Sequence, residues 1–478
     1  MPSQQTYDVV VIGGGPAGEN AAARAVRGGL TAVIVESELL GGECSYWACM
    51  PSKALLRPGA ALAAARAVAG SREAATGTID AEAVLGRRDS FTSHWQDKGQ
   101  VEWATGAGID VLRGKGRLVG ERTVAVQGPS GTTELTARHA VVLATGTRAA
   151  MPPVDGLADA RPWTSREGTA AKSVPGRLAV IGGGVVACEL ATAWRRLGAQ
   201  RVVMLIRGDR LLPNLEPFAG ALVRAALEQL GVEIRTGTRA RSVRRDAAGV
   251  VTLDLDDAST LEVDELLVAA GRKPNTEELG LGLVGLAEEG PVRTDDAMCV
   301  EGVDGGWLYA IGDITGRAPL THMGKYQGRI AGDVIAARAA GVDGSGSPAP
   351  WSSWSATADH GAIPQVVFTD PEVAAVGRTE AAARKDGLAI DVRELDVSTV
   401  AGASLHADDY TGRAKLVVDT DRGVVVGATF VGPDVAELIH SATIAVVGEV
   451  PLRRLWHAVP SYPTTSGLWL RLLEAFDL

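Results

Sequence analysis

Three features of this 478-residue sequence predict an α/β fold. Near the N-terminus, and again from residue 177, an apolar run leads through a glycine turn into a helix-forming stretch and a second apolar run. Beyond residue 361 the chain instead becomes rich in short β-type runs. Alternating strands and helices build parallel sheets covered by helices, so the first two features predict two Rossmann-like units and the third a C-terminal α+β domain. With 46% hydrophobic residues the chain can bury large cores, and ordinary domain size suggests three or four domains.

The first unit is "YDVVVIGGGPAGENAAARAVRGGLTAVIVE", read as a buried strand, a glycine turn, an Ala-rich helix and a second strand ending in Glu36. Gly13, Gly15 and Gly18 have the spacing of a dinucleotide fingerprint. The first glycine permits the tight turn, the second lets backbone approach a pyrophosphate at the helix N-terminus, and the third allows close helix packing. Glu36 follows about twenty residues on, where a carboxylate accepts a hydrogen bond from a ribose hydroxyl.

Next comes "GGECSYWACMPSK", residues 41 to 53, which holds Cys44 and Cys49; the chain's other cysteines are Cys188 and Cys299. The pair could be a staple, a metal site or a redox centre. A disulfide closing so short a loop removes only about 2 kcal/mol of unfolded-chain entropy, against roughly 4.7 for a hundred-residue loop. Metal sites usually need four ligands, and no further His or Cys lies nearby. In a straight helix, residues five apart are displaced about 7.5 Å along the axis, so a bonded pair requires a looped or distorted stretch. That geometry suits a pair that opens and closes, provided a redox partner lies beside it. Cys188 and Cys299 read as small buried hydrophobes.

The second unit, "RLAVIGGGVVACELATAWRRLGAQRVVMLIRGDR", places Gly182, Gly184 and Ala187 at the same spacing, so two dinucleotides are expected. Its second strand ends not in an acid but in Ile206, with Arg207 and Arg210 following. A guanidinium in place of a carboxylate favours a 2′-phosphate, hence NADPH over NADH, although both arginines also read as solvated turn residues.

Three shorter runs complete the pattern: "HAVVLATGTR" at 139–148, "LLVAAGRKPN" at 266–275, and "WLYAIGDITG" at 307–316, whose strand is expected to end at Asp313. "AAGVDGSGSPAPWSSWSATADHG", residues 339 to 361, reads as a linker in which Trp351 and Trp354 anchor the crossing. After it, "IPQVVFTDPEVAAVG", "GRAKLVVDT" and "GVVVGATFVG" read as strands and "DVAELIHSATIAVVGE" as an amphipathic helix.

The net charge of −10 argues against a nucleic-acid partner. No apolar run approaches bilayer length, and "MPSQQTYDVVVIGGG" lacks the basic region and apolar core of a signal peptide, so no membrane partner and a cytoplasmic location are expected. In that compartment a close cysteine pair is more often catalytic than structural.

Taken in order, these motifs make the chain resemble the pyridine nucleotide-disulfide oxidoreductase family, the group of glutathione reductase, dihydrolipoamide dehydrogenase and mercuric reductase. The resemblance runs over essentially the whole length. It implies an FAD-binding domain in two parts, 1–150 and 271–340, an NAD(P)H-binding domain at 151–270, a linker at 341–360 and a dimerisation domain at 361–478. FAD would be held through Gly13, Gly15, Gly18, Glu36, Gly42, Thr145, Gly146, Gly271, Arg272, Gly312 and Asp313, and the nicotinamide nucleotide through Gly182, Gly184, Arg207 and Arg210. The resemblance makes Cys44 and Cys49 a redox-active disulfide, with Cys49 against the flavin and Cys44 facing a small thiol or disulfide substrate. Lys53 would approach the flavin and pair with Glu189. A homodimer is implied in the same way.

The sequence also departs from these relatives. Where most carry His-Pro-Thr and then Ser-Glu, whose His-Glu pair moves the substrate proton, this chain reads "YPTTSG", with Tyr462 at the His position and Gly467 at the Glu position. His457 is a candidate substitute. Between the cysteines "SYWA" replaces Leu-Asn-Val-Gly, placing Tyr46 and Trp47 next to the substrate thiol and favouring a bulky or aromatic substrate. Mercuric reductases lack the His-Glu pair but carry a C-terminal cysteine pair, and "LLEAFDL" has none. Three readings follow: an NADPH-dependent reductase or thiol oxidase for a small disulfide or dithiol; a flavoprotein passing electrons to a quinone, metal ion or oxygen; and a flavin-binding protein that has lost turnover.

Overall fold

The computed structural model describes residues 4–342, 346 and 348–476; residues 343–345 and 347 of the expected linker, and both chain ends, lie outside the described residues. The chain folds into two compact units, one of Met1–Met50, Thr92–Arg148 and Arg272–His360, the other of Pro51–Phe91, Ala149–Gly271 and Gly361–Leu478.

The first unit is built on a seven-stranded sheet. Its strands β1 (Gln4–Ile12), β2 (Ala32–Glu36), β3 (Ile109–Arg113), β4 (Lys115–Gly120), β5 (Thr123–Gly128) and β6 (Gly131–Leu143) run in the order β3-β2-β1-β6-β5-β4, and Leu308–Ala310 pairs with β6. The runs around β1 and β2 are apolar on both faces because both faces are covered: Val9, Val10 and Val11 are fully buried, as is Ile34. Helix α1 (Pro16–Arg27) packs on the helix Thr321–Ala339 through small residues. A Cβ added at Gly328 would sit 2.4 Å from the Ala17 carbonyl oxygen, and one at Gly332 would sit 2.6 Å from that of Ala21. Those glycines set how near the two helices come. The strand expected to run to Asp313 ends at Ala310; Gly312 has φ +75°, which breaks the strand, and Asp313 sits in the 3-10 turn Gly312–Thr315.

In the second unit a parallel sheet is ordered Val232–Thr236, Arg201–Ile206, Arg177–Ile181, Glu265–Val268, with the helix Val185–Arg196 following the strand Arg177–Ile181 in the chain. That helix is buried nearly all round: Trp194 and Cys188 are inaccessible, so Cys188 packs as a small apolar side chain. Three antiparallel strands, Ala240–Arg245, Val251–Leu255 and Thr260–Val263, form a smaller sheet. The C-terminal part is a five-stranded antiparallel sheet, in spatial order Pro364–Val367, Glu372–Gly377, Val424–Gly432, Arg413–Asp419, Ile390–Asp396, packed by the helix Val435–Val447. Buried Lys415 is held there by Glu216, Glu380 and Glu394 at 2.9 to 3.1 Å, a cation that keeps its charge because three carboxylates replace its hydration. Among the described residues no helix is long and apolar enough to cross a membrane.

Candidate active site

Cys44 lies on the short helix α2 (Gly42–Tyr46), and Cys49 begins α3 (Cys49–Arg66); the helix breaks between them at Trp47, φ −137° and ψ 0°. This break is the local distortion that a bonded pair at this spacing demands. Both cysteines are thiols here and both are half-buried. The Thr321 hydroxyl lies 3.3 Å from Cys49 Sγ. The hydrogen bond between the two sulfurs, then burial, push the Cys44 thiol well above its ordinary range, while Thr321 and Lys325 act against that rise. Cys44 therefore keeps its proton until a base removes it.

Tyr46 does not face a substrate, contrary to the sequence expectation. It is 1% exposed, its hydroxyl donates to the Leu40 carbonyl at 3.1 Å, and its own carbonyl accepts from Trp95 Nε1 at 3.1 Å. Helix α2 is only five residues long and turns this ring into the core, leaving Trp47, half-buried and 5.7 Å from it, as the exposed-side aromatic.

The glycine turn after β1 fits a bound dinucleotide. A Cβ at Gly13 would meet the Ala144 carbonyl oxygen at 2.3 Å, one at Gly18 would meet that of Gly13 at 2.0 Å, and one at Gly42 would meet Gly15 Cα at 2.8 Å. At Gly15, the residue before α1, an added Cβ would meet nothing within 4 Å, so the space a phosphate needs is open at the helix start. Glu36 is aimed by backbone: Oε2 accepts from Gly14 N and Oε1 from Glu38 N, both at 2.7 Å. The residues present thus fit FAD.

Asp313 accepts from Thr147 Oγ1 at 2.8 Å, and Arg272 Nε donates to that same hydroxyl oxygen at 2.6 Å. Arg272 also lies 3.8 Å from Glu43, next to Cys44. The Thr145 hydroxyl donates to the Asn275 carbonyl at 2.7 Å, and Asn275 N donates to the Gly146 carbonyl at 3.0 Å. Side chains of Thr145 and Arg272 are thereby spent on bracing the turn around Asp313. Gly146 and Gly271 take φ of +67° and +136°, which glycine alone adopts without strain. Thr147, Asn275 and Thr321 went unrecognised in the sequence; single hydroxyl and amide side chains carry no spacing signal.

In the second unit, a Cβ at Gly182 would meet the Ala269 carbonyl oxygen at 2.3 Å, whereas at Gly184 nothing lies within 4 Å. The same open helix start recurs, and it fits a second nucleotide. Arg210 donates to the Pro213 carbonyl at 2.6 Å, while Arg207 is exposed at the end of its strand. Lys53 Nζ lies 2.7 Å from Glu189 Oε2 and 4.8 Å from the Phe368 ring centroid; Glu189 Oε1 accepts from Phe368 N at 2.9 Å. Tyr462 is 87% exposed and His457 is exposed.

Comparison with known proteins gives a consistent picture. Residues 7–328 match the pyridine nucleotide-disulphide oxidoreductase family and residues 363–471 match its dimerisation domain. The dihydrolipoyl dehydrogenase of Bacillus subtilis is 33% identical over 98% of this chain and 96% of its own, and the mercuric reductase of Shigella flexneri 34% identical over 98% and 80%. Among solved structures, the Cu(II) complex of the HOCl-induced flavoprotein disulfide reductase RclA from Escherichia coli shares the fold, with a TM-score of 0.83 over 98% of this chain and 99% of that one at 24% identity. LpdA from Mycobacterium tuberculosis gives 0.82 over 99% of both chains at 25% identity.

Proposed function

Because this chain belongs to the pyridine nucleotide-disulphide oxidoreductase family, and is an FAD-dependent oxidoreductase of that kind, we propose that it works as an NADPH-dependent reductase of a small disulfide through Cys44 and Cys49. The observation that carries this reading is the thiol pair itself, two sulfurs in hydrogen-bonding contact with the Thr321 hydroxyl beside Cys49. Bound at the glycine turn after β1, FAD supplies the means of passing two electrons from the nicotinamide nucleotide to the protein.

The protein's own part is thiol chemistry. The Cys44–Cys49 disulfide takes up two electrons and two protons to give the dithiol. Cys44 attacks the substrate disulfide as a thiolate, one substrate thiol leaves, and Cys49 resolves the mixed disulfide, which releases the second thiol and restores the starting bond. The raised Cys44 thiol must lose its proton first, so a base is needed at the substrate side. Tyr462 occupies the position from which relatives in the family supply that base. Its exposure within one chain, together with exposed Ile444, Val447, Trp456 and Val459, supports a homodimer in which Tyr462 serves the partner's site. Glu36, the Gly13, Gly15 and Gly18 turn, Gly42, Gly312 and Asp313 would hold FAD; Gly182, Gly184 and Arg207 would hold NADPH.

Anaerobic titration with NADPH tests the reading. A long-wavelength thiolate-to-flavin band after two electrons supports it, with Cys49→Ser abolishing the band and Cys44→Ser displaying it without reductant. Direct bleaching of the flavin, unaffected by either variant, would instead favour electron transfer to a quinone, metal ion or oxygen.

A further inference from the structure

Residues 93–97 grip the redox loop on both sides of Cys44. Ser93, His94 and Trp95 have φ of 49°, 52° and 55°, three consecutive non-glycine residues in the left-handed region. L-residues visit that region singly, because Cβ crowds the following carbonyl, so a run of three persists only where its surroundings over-determine it. This turn delivers the Trp95 indole N–H to the Tyr46 carbonyl at 3.1 Å. Two residues on, Asp97 Oδ2 accepts from Leu40 N at 2.7 Å; Arg113 pairs with the same carboxylate and donates to the Glu38 carbonyl at 2.8 Å. The Tyr46 hydroxyl joins the two gripped points by donating to the Leu40 carbonyl. Between them sits Cys44, and only Trp47 and Ala48 separate the clamped end of α2 from Cys49.

We infer that Trp95 is a positioning residue of the redox couple: by fixing the Tyr46 carbonyl it holds Cys44 within bonding reach of Cys49 and so favours the disulfide over the dithiol. The inference rests on the reading of this pair as the redox couple. The physical reason is asymmetric entropy. With the clamp loosened, the loop gains conformations in which the sulfurs are apart; the dithiol can populate them and the disulfide cannot. Loss of the indole donor therefore shifts the couple toward the dithiol, independently of any effect on substrate.

The test equilibrates holoenzyme with mixtures of oxidised and reduced dithiothreitol. Enzyme dithiol and oxidised reagent exchange two electrons and two protons to give enzyme disulfide and reduced reagent. The fraction oxidised is read by alkylation and peptide mass at Cys44 and Cys49. Trp95→Phe, which keeps the ring but lacks the N–H, should lower the constant for disulfide formation at least threefold, about 14 mV for a two-electron couple. Asp97→Ala, which releases the other grip, should shift it in the same direction, and Trp103→Phe, an exposed tryptophan, should leave it unchanged. A lower melting temperature with an unchanged constant in Trp95→Phe overturns the inference; if that variant does not fold, an unchanged constant in Asp97→Ala does so. Failure of the wild type to form a reversible 44–49 disulfide would instead remove the redox reading and the inference with it.

Discussion

Lys53 and Glu189, 136 positions apart in the sequence, meet in a 2.7 Å ion pair in which the Glu189 side chain is 4% exposed and that of Lys53 35%. Glu189 also receives the Phe368 backbone N–H, so one buried carboxylate ties together α3, its own helix and the start of the C-terminal part. Breaking a buried pair usually costs about 3–5 kcal/mol, and partial exposure of Lys53 lowers that. Glu189→Leu is expected to destabilise the protein by roughly 2–3 kcal/mol in urea unfolding. Glu189→Gln, which retains an acceptor for Phe368, should lose no more than about 1 kcal/mol.

Nucleotide choice is expected to follow Arg207. NADPH should be preferred to NADH by tenfold or more in kcat/KM, about 1.4 kcal/mol of charge-assisted contact with the 2′-phosphate. Arg207→Ala should remove most of that preference, whereas Arg210→Ala should change it little, since Arg210 is engaged with the Pro213 carbonyl. Equal rates with both nucleotides in the wild type would refute the assignment.

The absent acid-base pair sets a third expectation. A positioned acid or base contributes roughly 10² to 10⁴ in rate, and a phenol with pKa near 10 is a poor base at neutral pH. Tyr462→His combined with Gly467→Glu should raise turnover of a simple dithiol tenfold or more, while His457→Ala changes little. Gly467 has an ordinary helical backbone, φ −53°, but a Cβ there meets Val400 Cγ1 at 3.0 Å, so a small shift of Val400 must accompany the double variant. Strong loss in His457→Ala with no gain in the double variant would assign the proton to His457.

Glu19 provides a pH test. Burial, with Glu36 adding to it and Lys325 opposing it, pushes its carboxyl up from the usual range to about 7, and Oε1 has no hydrogen-bond partner among the described residues. A folded-state pKa above the unfolded value means the folded state binds the proton more tightly. The stabilisation is fully present below about pH 4.5 and is lost as pH rises through about 7. Glu19→Gln should therefore be more stable than the wild type at pH 8, by about 1–3 kcal/mol, and nearly equal to it at pH 4.5. Parallel stability curves for the two proteins across this range would show that Glu19 stays ionised.

The sequence by itself determined the two glycine turns, the carboxylate at Glu36, the cysteine pair and the missing acid-base motif, because each depends on local spacing. A glycine turn between apolar runs has few backbone solutions, and the observed strands and helices around Gly13 and Gly182 follow directly. The even spread of hydrophobic residues along β1 and β2 likewise told that both faces are covered. Only the tertiary structure decided where side chains point and what holds them. Tyr46 looked like a substrate contact beside Cys44, yet a helix of five residues turns it into the core. The grip of Trp95 on the end of that helix and of Asp97 on Leu40 before it joins segments some fifty residues apart through single hydrogen bonds and a left-handed turn of ordinary residues. Such contacts leave no periodicity and no motif, since their energy comes from the packed surroundings rather than from the local preference of the residues that make them.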